Sequence, residues 1–65
     1  MIQEKPIVGK TYQHNNGMTY EVLFIANENS TNEEYPETVV YQGLNGKVWT
    51  KTVENFKLKM NDYVL

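Results

Sequence analysis

The chain has one histidine, His14, one tryptophan, Trp49, no cysteine and no arginine. Those facts narrow the available chemistry at once. A metal site built on histidines or thiolates has no ligand set here. His14 as a general base would need a nucleophile or carboxylate held in hydrogen-bond reach, and no Ser-His-Asp arrangement is readable. Its place beside Asn15-Asn16-Gly17 predicts instead an imidazole bonded to turn backbone. Lys51 offers a point charge for an anion or carboxylate, without the planar fork of arginine. The expectation is a protein that is not an enzyme, with no cofactor and no metal.

Aromatic side chains are the other candidates. Tyr12, His14, Tyr20, Tyr41 and Trp49 could gather into one cluster. Exposed, such a cluster forms a groove for extended peptides or modified side chains. Buried, it is the core of a domain with few other large side chains. The candidate binding residues are Tyr12, His14, Tyr41, Trp49 and Lys51. The acidic group Glu28, Glu33, Glu34 and Glu37 around Tyr35 lacks the alternating ligands and closing bidentate glutamate of a calcium loop. No glycine-rich turn leads into a helix, so no phosphate cradle is predicted.

The elements that must position these residues read as short strands. Lys10 to His14 is a first strand, and Asn15-Asn16-Gly17 a three-residue turn with Gly17 left-handed. Met18 to Ala26 is the second, with Tyr20, Val22, Phe24 and Ala26 on one face and Glu21, Leu23 and Ile25 on the other. Residues 27–36 are polar, acidic and aperiodic, a long flexible loop. Glu37 to Leu44 and Lys47 to Thr52 flank Asn45-Gly46, the strongest short hairpin signal, read as a type I′ turn. One 3₁₀ turn at Val53-Glu54-Asn55 precedes a fifth strand with Phe56, Leu58 and Met60 inward and Lys57 and Lys59 outward. Residues 61–65 are a tail with an apolar end. No internal repeat is expected. The order predicts one all-β domain over 1–65, with its core at about 9–60: a five-stranded SH3-like barrel whose last strand pairs with the first.

Composition bounds the rest. Sixty-five residues with net charge −2 make one small domain, worth roughly 3–10 kcal/mol of stability. All six basic residues are lysines, which argues against a dedicated nucleic-acid binder. No apolar run reaches membrane-spanning or signal-peptide length, so a cytoplasmic protein without membrane contact is expected.

One pattern resembles a known family. It runs Gly9-x-x-Tyr12-x-His14-x-x-Gly17-x-x-Tyr20-x-Val22, then Ala26, then Val39-Val40-Tyr41-x-x-Leu44-x-Gly46-x-x-Trp49, then Phe56. It is similar to short bacterial and phage proteins catalogued as a domain of unknown function, with G-x-Y-x-H-x-x-G-x-x-Y-x-V, V-V-Y-x-x-L, W-x-R-P and a phenylalanine. This chain has an extra residue between Gly9 and Tyr12, Lys51-Thr52 in place of Arg-Pro, and a longer loop. The resemblance implies a small β domain and supplies no activity. The expected function is a non-enzymatic module acting through a protein partner. The alternatives are a small-molecule or nucleotide binder with its pocket at a subunit interface, then a nucleic-acid binder using aromatics and lysines. Apolar residues near both ends, Ile2, Ile7-Val8 and Tyr63-Val64-Leu65, point to a homodimer.

Overall fold

Tyr12-Gln13-His14-Asn15-Asn16-Gly17 and Tyr41-Gln42-Gly43-Leu44-Asn45-Gly46 share the run Y-Q-x-x-N-G, and both fold into the same hairpin. The structure, a computed structural model, describes residues 1–64; Leu65 of the expected apolar end lies outside the described residues. The first hairpin joins β1 (Thr11–His14) to β2 (Thr19–Ala26), and the second joins β3 (Thr38–Gly43) to β4 (Val48–Thr52). In the first, the His14 N–H donates to the Met18 carbonyl at 2.7 Å and Gly17 N–H returns to the His14 carbonyl at 2.8 Å. In the second, Gly43 N–H donates to Lys47 and Gly46 N–H to Gly43, both at 3.0 Å. Gly17 and Gly46 sit at φ of 92° and 83°, where a Cβ would be strained.

Side chains brace each turn identically. The Oδ1 atoms of Asn16 and Asn45 accept from Met18 and Lys47 N–H at 2.9 and 3.0 Å. The amides of Gln13 and Gln42 donate to the carbonyls of Gly17 and Gly46 at 3.1 and 3.0 Å. Two expectations are corrected here. The Asn45-Gly46 connection is a three-residue loop and not a type I′ turn, because Asn45 caps Lys47 without entering the left-handed region, which Gly46 alone occupies. The chain also does contain an internal repeat.

The five strands form one antiparallel sheet in the order β4-β3-β2-β1-β5, where β5 is Met60–Asp62. The last strand pairs with the first, Tyr12 with Asp62 and His14 with Met60. The sheet is nevertheless open, not the expected closed barrel: β4 and β5 are its two edges. The reason lies between them. Val53–Lys59 is a seven-residue α-helix, α1, in place of the expected single 3₁₀ turn and the start of strand five. Thr52 caps it, its hydroxyl accepting from Asn55 N–H, with Glu54 in the first turn and Lys57 and Lys59 in the last, charges that suit the helix dipole. A helical period brings Phe56 and Met60 to the core and turns Leu58 out to 56% exposure, correcting the expected alternation. Asn61 and Asp62 belong to β5 and not to a tail.

A β-bulge interrupts β2. Val22 faces Tyr41 and Phe24 faces Val40, leaving Leu23 as the extra residue. The bulge shifts the side-chain phase by one position. Phe24 therefore faces outward, 55% exposed, and Ile25 joins the core in its place, reversing the faces expected for that half of the strand. The core is Ile2, Tyr12, Val22, Val39, Tyr41, Phe56 and Met60. Its reach is wider than residues 9–60, since Ile2 donates its N–H to the Lys57 carbonyl and is buried beside α1.

The residues before β1 and the β2–β3 loop hold each other. Lys5 bridges Glu28 at 3.2 Å and Glu37 at 2.6 Å, and Glu37 also accepts from Asn29 N–H at 2.7 Å. Inside the loop, Asn27 and Asn29 take left-handed φ of 55° and 65°, and Ser30 and Tyr35 N–H groups close turns onto Asn27 and Asn32. The acidic segment is thus internally bonded, more than the open tether its composition predicts.

Two outcomes follow. Phe56→Ala removes the ring between helix and sheet and costs about 3–5 kcal/mol, enough to leave much of the chain unfolded in a urea titration followed by circular dichroism. A loss below about 1 kcal/mol would show that α1 is not tied to the core by Phe56. The Asn29 N–H and then the Lys5 ammonium hold the Glu37 carboxyl below its ordinary value of 4.5. A depressed carboxyl stabilises the folded chain fully above that ordinary value, and loses its contribution as pH falls through the folded one. The Asn29 amide resonance should titrate with a midpoint under 4.5, and Glu37→Gln should abolish that titration. A midpoint at or above 4.5 contradicts the assignment.

Candidate functional site

Side chains directly opposite in antiparallel strands share a face of the sheet. Tyr12 lies opposite Tyr20, Val22 opposite Tyr41, and Tyr41 opposite Trp49, so all these rings lie on the face that α1 covers. Four contacts link the rings edge to face. Phe56 meets Tyr12 at 5.3 Å and 87°, and Tyr41 at 5.4 Å and 66°. Tyr20 meets Tyr41 at 5.2 Å and 85°, and His14 at 6.4 Å and 74°. The expected aromatic cluster exists, yet most of it is core. Tyr12 and Tyr41 are buried because α1 sets Phe56 between them, which removes both from the candidate binding surface. Burial, with Tyr20 nearby, raises the Tyr41 phenol above its ordinary 10.0, so it stays protonated at neutral pH.

His14 is placed by its hairpin. Its Nδ1 accepts from Asn16 N–H at 3.0 Å, and its strand position lies opposite Met60. The imidazole thus caps turn backbone. The Tyr12 hydroxyl likewise accepts from Ile7 N–H at 2.9 Å, tying the residues before β1 to the core.

The repeat explains why Trp49 differs. Y-Q-x-x-N-G-x-x is followed by Tyr20 in the first hairpin and by Trp49 in the second, and each of these two residues lies directly opposite its own hairpin's tyrosine. Beyond Tyr20 stands β3; beyond Trp49 the sheet stops. Trp49 is left 48% exposed. Lys47 and Lys51 alternate with it, so all three side chains lie on one face. Lys51 is half-buried opposite Val39. Among the described residues, the ion pairs use Lys5 and Lys10, and neither Lys47 nor Lys51 meets a carboxylate. Of the candidate residues, the structure therefore sets Trp49 and Lys51 on one face of β4, buries Tyr12 and Tyr41 in the core beneath α1, and holds His14 at the first hairpin turn. Lys47 belongs with Trp49 and Lys51, and the alternation K-x-W-x-K was the sequence signal for it.

Two open clefts lie away from these residues. One of about 450 Å³ lies between the acidic loop and the start of α1, lined by Ser30, Glu33, Pro36, Glu37, Thr52 and Glu54. Another of about 340 Å³ lies under the residues before β1, against Lys10, Tyr12 and Asp62. Among the described residues no group of histidine and carboxylate side chains could hold a metal ion, and no helix is long and apolar enough to cross a membrane.

No curated protein and no solved structure matches the chain. One family does, described as protein of unknown function (DUF1653), over residues 10–62. The match runs from the residue before β1 to the last residue of β5, taking in the whole sheet and α1.

Proposed function

We propose that this chain, which belongs to the DUF1653 family of proteins of unknown function, is a non-enzymatic binding module acting through protein contacts in the cytoplasm. The observation that carries the reading is Trp49, 48% exposed on an edge strand while its counterpart in the first hairpin, Tyr20, is partly buried against the core. Tryptophan is costly to leave in water and is enriched among the residues that dominate protein interfaces. The strand order, with a helical segment before the last strand, supports reading the domain as SH3-like with its sheet left open. The engagement of the single histidine with its own turn supports the non-enzymatic reading. The small-molecule reading has less behind it, since both large clefts lie away from Trp49 and Lys51.

Affinity capture with the tagged chain should recover a stoichiometric protein partner. Trp49→Ala should weaken that capture by about 30-fold or more. Because the ring is half outside, the same substitution should move Tm by less than about 4 °C. Capture of no protein, or capture that Trp49→Ala leaves undiminished, sinks the proposal.

A further inference from the structure

We infer that the outer edge of β4 takes an acidic, extended peptide segment by strand addition, seated against Trp49 between Lys47 and Lys51. The inference rests on the protein-binding reading above and names the partner's chemistry. Backbone geometry supplies the first argument. Gly43 N–H donates to Lys47 and Val53 N–H to Glu37, so in the antiparallel alternation Lys47, Trp49, Lys51 and Val53 turn their backbone groups toward β3. The intervening Val48 and Thr50 turn theirs out of the sheet. Both residues are exposed, and among the described residues β4 has β3 as its only neighbour in the sheet. An unpaired row of this kind is a template for another strand.

The repeat supplies the second. The two hairpins are related by a shift along the sheet: β1 corresponds to β3 and β2 to β4, so Trp49 occupies the place of Tyr20. Tyr20 is covered because β3 lies beside it and brings the Tyr41 ring to 5.2 Å. A strand added beside β4 would cover Trp49 in the same way.

Charge decides which strand. The stretch from Thr38 to Met60 carries Lys47, Lys51, Lys57 and Lys59 against the single acid Glu54. A second copy pairing β4 with β4 antiparallel about Trp49 would set Lys47 opposite its partner's Lys51, and like charges directly opposite repel. That argues against the homodimer at this edge. A segment patterned acid-x-aromatic-x-acid would instead place carboxylates beside both lysines and a ring beside Trp49. The chain's own Glu33-x-Tyr35-x-Glu37 has this pattern, but it is folded into the loop, with Glu37 held by Lys5 and Asn29. The occupant is a separate chain. Nucleic acid fits less well, since a phosphate backbone would leave the outward groups of Val48 and Thr50 without a ladder.

A short peptide alternating glutamate and threonine around a central tyrosine is the probe. Trp49, the only tryptophan, reports binding by fluorescence, and amide hydrogen exchange reports Val48 and Thr50. We expect saturable blue-shifted emission together with slowed exchange at both amides. Replacing glutamate by lysine in the peptide should abolish both, and Lys47→Glu with Lys51→Glu should weaken binding by about tenfold. Thr50→Pro removes an outward N–H while sparing the ladder to β3, and should abolish binding if circular dichroism shows it folded; the lysine reversals decide the matter if it is not. A fluorescence change without slowed exchange at Val48 and Thr50 overturns strand addition and leaves the protein-binding reading standing. No response to the acidic peptide overturns the inference, as does a response to oligothymidylate alone. So does a doubled mass in light scattering of the chain by itself with those amides already protected.

Discussion

The edge-to-face packing of Phe56 between Tyr12 and Tyr41 is the contact on which the rest of this structure depends. A chain of this length with no disulfide cannot bury much surface, and an open sheet leaves its apolar face wet unless something lies across it. Seven helical residues are enough because one of them is a phenylalanine caught edge-on by two tyrosines. The bulge at Leu23 serves the same contact. It turns β2 so that Val22 and Ile25, on either side of the irregularity, both reach the ring cluster.

Much of this was legible in the residues. Turn chemistry announces both hairpins, since asparagine and glycine at fixed offsets carry their own backbone instructions. The expected β1–β5 pairing is present, although the barrel closure that suggests it does not occur. Two features escaped because periodicity is ambiguous over short windows. Phe56, Leu58 and Met60 fit an alternating strand, yet Phe56 and Met60 also fit a helix at i, i+4, and the Thr52 cap selects the helix. In β2 alternation holds only up to Leu23, and no local signal marks the residue that the sheet leaves unpaired.

The candidate site was legible in part for a different reason. Composition says that large rings must be buried somewhere, but not which ones. The answer is topological: Tyr20 and Trp49 occupy equivalent places, and the sheet happens to continue past one and stop at the other. Comparison of the two Y-Q-x-x-N-G segments locates the equivalence; strand order is needed to see which copy ends at solvent.

Thr52 ends β4 and caps α1 with no residue between them. The edge strand and the helix are therefore joined in series, like a handle fixed directly to a bolt. Any tilt of β4 is felt at the first turn of α1 and, one turn later, at Phe56. The most exposed strand of the sheet is mechanically the closest to its most buried ring, so whatever steadies that edge steadies the interior as well.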